Sequence, residues 1–455
     1  MIGVIIAIIV TLIVGYMIVK KYKPQPVLII GAFILFTASL MLGANEIVPA
    51  KNGTGFWGFD LYSMLRMTLS SRVSALGITI MTVGGFVRYM NHIGASKALV
   101  HIAVNPLRKL KAPYLVLTGS YLVGQFLGLF INSASGLGML LMVTMFPILV
   151  RLGITPLSAA AVIGTTLCID WSPGNVGVSL AAGLSHLDLM TYWYTYELPV
   201  CLINICAVAI LHFIVQQWFD KKEKGVSAEK VIEVKEEVYE ENVPIYYWIL
   251  PVLPLTLLLT FSSIGFKKVK LGIIEAMFIA LTISMICEFF RSKNLQQCFK
   301  DVQVFFDGMG AQFAGVVTLV VSGEMFAKGL QKIGAVNKII MAADHAGFTG
   351  VMMLIVMVMI IGVSTMVMGS GNASFLTFAN LVPDISAKLA IYPPLLLVPM
   401  ELSSSIARSV SPITAVIVIV AGIAQVSPID LVKRTAIPML GAFIVNVLAT
   451  VLLFY

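Results

Sequence analysis

The chain has 455 residues, of which 59% are hydrophobic and 11% charged, with a formal net charge of +8. Soluble globular proteins carry about 25% charged residues, so this composition excludes a soluble domain and points to a polytopic membrane protein. Its basic excess marks cytoplasmic loops, and no nucleic-acid partner is expected.

In chain order, apolar segments fall at 2–19, 26–43, 73–90, 113–130, 139–150, 157–169, 176–184, 189–218, 245–263, 272–290, 309–330, 349–368, 375–388, 394–406, 413–424 and 435–455. The first ends at Lys20, Lys21 and Lys23 and lacks a small-residue cleavage site, so it reads as a span and not a signal peptide. A crossing takes about 20 apolar residues. The shorter segments come in pairs joined by polar or Gly/Pro-bearing tips, and read as re-entrant hairpins or as crossings broken mid-membrane. Segments 91–110 and 331–346 mix basic and apolar residues and read as interfacial helices.

Lys and Arg place the loops at 20–23, 91–112, 220–244, 291–300 and 433–434 in the cytoplasm, which puts both termini outside. Lys267, Lys268 and Lys270 are the exception. The stretch 220–244 reads as a solvated linker. Cys168, Cys201, Cys206, Cys287 and Cys298 lack metal spacing and read as small buried hydrophobes. His92, His101, His186, His212 and His345 read as structural or interfacial, and no metal or cofactor is expected.

The chain repeats itself at an offset near 239. "HIGASKALV" (92–100) matches "KIGAVNKII" (332–340), and "DWSPGNVGVSLAAGLSHLDL" (170–189) resembles "SVSPITAVIVIVAGIAQVSPIDL" (409–431). Pro199 pairs with Pro438, and "NSASGLG" (132–138) with "GSGNASF" (369–375). With the loop topology above, the halves are inverted across the membrane. Inverted repeats with interrupted helices at matching positions are the sequence sign of a secondary transporter, its site near the midplane.

Each half offers two polar interruptions. Tip A is Asn132, Ser133, Ala134, Ser135 and Gly136; break A is Asp170, Trp171, Ser172, Pro173, Gly174 and Asn175. Tip B is Gly369, Ser370, Gly371, Asn372, Ala373 and Ser374; break B runs from Arg408 through Ser409, Ser411 and Pro412 to Thr414. Non-helical backbone at membrane depth is tolerated only where it is buried in protein or lines a cavity. Helix N-termini there present free N–H groups and partial positive charge, and the Pro in each break removes a donor and opens the helix. This chemistry suits a small anion. Small residues that merely permit close helix packing are the bland alternative.

Two charges stand out. Arg408 in break B can pair a substrate carboxylate, or form a structural pair with Glu401 on the same helical face. Asp170 reads as a proton or cation site, or as a helix cap.

These segments resemble a known family. "NSASGLGMLLMVTMFPILV" (132–150), "GSGNASFLTFANLVP" (369–383) and "SIARSVSPITAVIVIVAGIAQVSPIDLVKRTAIP" (405–438) are similar to the anaerobic C4-dicarboxylate carriers of the Dcu C type, and the likeness runs over nearly the whole chain. The resemblance implies the ion transporter superfamily: two inverted repeats, each with a re-entrant hairpin and a broken helix, whose tips meet the substrate. Carried over, it puts Ser133 and Ser135 at one tip, and Ser370, Asn372 and Ser374 at the other. Ser172 to Asn175 and Ser409 to Thr414 fall at the breaks. It further implies fumarate, succinate or a related dicarboxylate; H+ or Na+ is the expected coupling ion.

The expected architecture is therefore all-α. Residues 1–219 form a first repeat with hairpin 113–151 and broken helix 157–185. A cytoplasmic linker follows at 220–244. Residues 245–455 form a second repeat with hairpin 349–388 and broken helix 394–424. Segments 2–43 and 245–290 form a scaffold that pairs with a second copy. The expected function is alternating-access transport of C4-dicarboxylates across a bacterial cytoplasmic membrane, by symport or exchange. The alternative is a same-fold carrier of another small organic anion or amino acid. A channel needs a continuous polar path, which clustered tips do not supply. An intramembrane enzyme needs a metal cluster or Ser/His pair that the sequence does not offer.

Overall fold

The computed structural model describes residues 2–20, 22–44, 46–223, 243–261, 266, 269, 271–335 and 350–455. Most of the linker, the Lys267, Lys268 and Lys270 loop, most of the second interfacial segment and His345 lie outside the described residues. Every regular element among those described is helical. Lipid cannot bond exposed backbone, so a helix, which satisfies its own N–H and C=O groups, is the available element. Among the described residues six helices are long and apolar enough to cross a membrane: Pro24–Met41, Leu189–Glu223, Ile273–Ser292, Leu295–Lys332, Gly350–Met368 and Pro428–Phe454.

Two long helices form the wall against which the rest is arranged. One runs through Trp57–Arg72, a π-turn at Val73–Gly77 and Ile78–His92. The other runs through Leu295–Gln312, a π-turn at Phe313–Val317 and Thr318–Lys332. Both are longer than the apolar segments 73–90 and 309–330. Their first halves carry Asp60, Arg66 and Arg72, and Lys300, Asp301 and Asp307, which hide a helix from a hydropathy reading. The first half of each packs on the second half of the other, so they run antiparallel and cross near their π-turns. Glycine permits the approach: a Cβ on Gly85 would lie 2.6 Å from the Phe305 carbonyl, and one on Gly308 2.8 Å from Gly85 Cα. The π-turns, and Gly94 (φ 80°) and Gly334 (φ 77°) beyond the helix ends, recur at a spacing of 240 residues.

Both hairpins return to their starting level. In hairpin A, Pro113–Gly128 is followed by Ala134–Thr144 and Phe146–Arg151. Tyr114 at its entrance and Thr155 just past its exit both donate to the Asp220 carboxylate, at 3.2 and 2.7 Å. In hairpin B, Gly350–Met368 is followed by Gly371–Phe378 and Val382–Leu389. A Cβ at Gly350 would sit 2.8 Å from Ile391, so here too the two ends meet.

The broken helices are Pro156–Gly164 with Val176–Leu184, and Pro394–Arg408 with Ala415–Ile423. The packing is crossed. The second arm of hairpin A lies on Ala415–Ile423, and the second arm of hairpin B on Val176–Leu184. Each hairpin is thus completed by the other half of the chain.

Charged groups distant in the chain meet near helix ends: His92 Nε2 is 2.9 Å from Asp301 Oδ1, and Arg434 Nη1 is 3.0 Å from Asp220 Oδ1. Of the five cysteines read as buried, Cys168, Cys201 and Cys298 are, whereas Cys287 is half-buried and Cys206 is exposed. Cys206 lies on Leu198–Glu223 beside the exposed Leu202, Ile203 and Ile210, an apolar face suited to lipid. His212 is buried inside that helix, with its Nε2 2.9 Å from Thr165 Oγ1.

Candidate functional site

The interruptions come together around one cavity of about 210 Å³. Its lining takes Asn132, Ser133 and Ala134 from tip A, Asp170, Gly174 and Asn175 from break A with Val176 just beyond it, Asn372 from tip B and Arg408 from break B. The long helices supply the opposite wall, with Ile80, Val83, Gly84 and Val87 on one and Gln312 and Val316 on the other.

Local chemistry explains how each tip is held. Ser133 has an extended backbone, and its hydroxyl oxygen accepts from the Gly136 N–H at 3.2 Å. Ser370 caps the second arm of hairpin B in the same way, accepting from Ala373 at 3.3 Å. Asn175 caps Val176–Leu184 by accepting from Gly177 at 2.6 Å. Such caps satisfy one of the orphan N–H groups of a first helical turn. Three helix N-termini, those of Ala134–Thr144, Val176–Leu184 and Gly371–Phe378, contribute residues to the cavity, and each brings partial positive charge. Ser133 accepts through its oxygen and keeps an O–H to donate at the cavity, which Ser370 does not line. Asn132 and Asn372 add amide donors.

Arg408 closes the last turn of Pro394–Arg408. Its partner is Asp170, at 3.0 Å, and not Glu401 as the helical spacing allowed. The correction is geometric: the side chain leaves its own helix across the break, where Nη2 also donates to the Leu167 carbonyl at 2.5 Å. Asp170 accepts a second bond from Ser405 Oγ at 2.9 Å. It caps no helix, since Asn175 fills that role. The Arg408 Nε is buried and has no hydrogen-bond partner among the described residues.

Other candidate residues do not line the cavity and have structural bonds instead. Ser172 donates to the Leu129 carbonyl at 2.9 Å, and Ser411 to the Met366 carbonyl at 2.8 Å. Each fastens a break to the end of the adjoining hairpin arm, where helix carbonyls lose their partners. Thr414 donates to the Arg408 and Ser411 carbonyls at 2.9 and 2.8 Å. Ser409 is buried, and its carbonyl accepts from Thr435 at 2.8 Å. Ser374 is buried and donates to the Ser370 carbonyl at 3.3 Å. Gly371 is needed for contact: a Cβ there would lie 2.8 Å from the Ser404 carbonyl. Ser135 and Gly136 are half-buried in the first turn of their helix, and Pro412 is exposed. Pro173, with Ser172, faces a small neighbouring cavity lined mainly by apolar residues such as Phe86, Phe130 and Met277.

Gln312 was missed by the sequence reading. It sits on a continuous helix, one residue before a π-turn, and Gly310 and Gly315 on either side do not interrupt that helix. The signal available was an amide beside a membrane segment. Gln312 also has a counterpart: at the same 240-residue spacing Gly84 matches Glu324 and Arg72 matches Gln312. Beside hairpin B, Arg72 and Glu324 form an ion pair, and Arg72 Nη2 reaches Asn380 of the hairpin at 3.5 Å. Beside hairpin A, the matching Gly84 and Gln312 line the open cavity.

A profile of the C4-dicarboxylate anaerobic carrier family, DcuC, matches residues 2–455. The chain is 35% identical over 436 residues to the anaerobic C4-dicarboxylate transporter DcuC of Escherichia coli K12, covering 96% of this chain and 93% of that one. It is 33% identical to a Vibrio cholerae protein described as a probable transporter of the same kind, covering 100% and 98%. In fold it is similar to the crystal structure of the YdaH transporter of Alcanivorax borkumensis, with a TM-score of 0.64 at 13% identity, over 94% of this chain and 98% of that one.

Proposed function

This chain belongs to the C4-dicarboxylate anaerobic carrier family, and from that premise we propose that it carries C4-dicarboxylates, such as fumarate or succinate, across the cytoplasmic membrane of a bacterium. It is a transporter and not an enzyme. The observation that supports the substrate class is the convergence of three helix N-termini, Asn132, Asn372 and Arg408 on one cavity. At about 210 Å³ it falls below the ~300–1,000 Å³ of common small-molecule sites, which suits a compact ligand. A dicarboxylate offers two anionic ends, one for Arg408 and one for the amides and N-termini opposite.

We infer transport by alternating access. The hairpins and broken helices form the moving part, and the two antiparallel long helices form the wall. The unequal flanks support this reading: an ion pair and Asn380 close the side of hairpin B, while Gly84 and Gln312 leave the side of hairpin A open. When the site faces the other way, the flank of hairpin B opens and that of hairpin A closes. In this reading the halves are inverted repeats and both termini are outside.

The test is counterflow of radiolabelled succinate and fumarate in proteoliposomes, with and without Na+ and a pH gradient. Exchange of internal for external dicarboxylate is the expected result. Exchange confined to amino acids or monocarboxylates would replace the substrate assignment.

A further inference from the structure

Behind the Arg408–Asp170 pair lie two carboxyl groups that the cavity does not use. Glu197 ends the π-turn Trp193–Glu197, and Glu401 lies on Pro394–Arg408, which packs against that turn. They are 1% and 3% exposed. Neither oxygen of Glu197, nor Oε2 of Glu401, has a hydrogen-bond partner among the described residues. The Tyr192 hydroxyl beside them is buried and unpartnered as well. The ionisable groups facing Glu197 and Glu401 are each other, Asp170, Tyr192, Cys201 and, for Glu401, Arg408. Glu401 also lies against Gly177, in the first turn of Val176–Leu184.

Charge counting makes this arrangement informative. The cluster holds three carboxyls, Asp170, Glu197 and Glu401, and one guanidinium, which is committed to Asp170 at 3.0 Å. Ionised carboxylates without a cation or a donor are very costly away from water, and intramembrane ionisable groups that persist mark ion or proton sites. Two bound protons leave the whole cluster neutral. π-turns recur at functional sites because the extra residue redirects a side chain, and here the turn carries Glu197.

We propose that Glu197 and Glu401 form a proton-binding pair that couples proton movement to transport. This rests on the dicarboxylate reading of the cavity. The link is Asp170, which lines the cavity and is held by Ser405 and Arg408, one and two turns along the same helix from Glu401. When a substrate carboxylate draws Arg408 away, Asp170 loses its counter-charge, and its negative field holds protons on the pair more firmly. Substrate and proton then favour each other's binding, and the coupling is reciprocal. The proton is taken from and returned to water; no other species is formed.

The test uses the full-length protein, its Glu197→Gln and Glu401→Gln variants, and succinate as the probe. In wild type, pH-difference infrared spectroscopy is expected to show buried protonated carboxyl bands that lose intensity in each variant. In proteoliposomes, the ratio of pH-driven succinate accumulation to succinate counterflow is expected to fall at least tenfold in each. An unchanged ratio, or accumulation driven by Na+ alone, would overturn the proposal. If a variant does not reach the membrane, the wild-type spectrum still decides, and the absence of a titrating buried carboxyl band refutes the pair. Loss of succinate counterflow by wild type would instead remove the substrate reading, leaving the infrared result to judge the pair.

Discussion

Arg408 reaches across two helix breaks to lie 3.0 Å from Asp170. The two breaks come from opposite halves of the chain, so this pair ties them together at the cavity wall. Among the described residues Arg408 is the one cation that lines the cavity. Arg408→Gln keeps a donor but removes the charge and the fork that suits a carboxylate. Its KM for succinate is expected to rise at least tenfold, with a much smaller change for a monocarboxylate of similar size. Equal losses for both would make the residue purely structural.

The serines and asparagines divide into two groups with different expected phenotypes. Asn372 and Ser133 line the cavity, so Asn372→Leu and Ser133→Leu should abolish uptake while membrane levels persist. Ser172 and Ser411 instead fasten breaks to hairpin carbonyls. Ser172→Ala and Ser411→Ala should each cost about 1 kcal/mol, lower the thermal midpoint and leave the succinate KM within about twofold. A large KM shift in either alanine variant would return these residues to the binding site.

Gly84 lets Gln312 lie across the cavity wall, since a Cβ there would overlap the Gln312 side chain. Gly84→Ala is therefore expected to displace the amide and reduce succinate transport several-fold without loss of protein. Gln312→Ala should relieve the clash, so the double variant should transport no worse than Gln312→Ala alone. Independent, additive losses would show that Gly84 acts elsewhere.

Away from the site, Arg434 is buried between Asp220 and Glu223, and Asp220 also accepts from Tyr114, Thr155 and Ser158. Removing one partner leaves a buried charge unpaired, at about 3–5 kcal/mol. Arg434→Ala should lower the thermal midpoint of the detergent-solubilised protein and its yield. An unchanged melting curve would mean that water enters to replace the guanidinium.

The sequence made the interruptions legible because Gly, Pro, Ser and Asn at membrane depth have few structural uses. The tips at Ser133 and Ser370 and the breaks before Val176 and Ala415 fall where those residues predicted. The roles of individual hydroxyls were not legible. Ser172 and Asn175 are near neighbours in the chain, yet one bonds a hairpin carbonyl and the other caps a helix beside the cavity. Which role applies depends on the orphan backbone groups that tertiary packing brings near. Arg408 had a plausible partner on its own helix, and only the meeting of the breaks replaced Glu401 with Asp170. Gln312 was invisible because it lies in an unbroken helix, and the polar first halves of the long helices concealed their length.

The central claim is that the cavity among Asn132, Asn372 and Arg408 holds the dicarboxylate. The most direct measurement is a structure of the protein with 2-bromosuccinate, located by the anomalous signal of bromine. The account predicts a peak in this cavity, with one carboxylate at Arg408 and the other toward Asn132 and Asn372. A peak elsewhere in the membrane region, with this cavity empty, would contradict it.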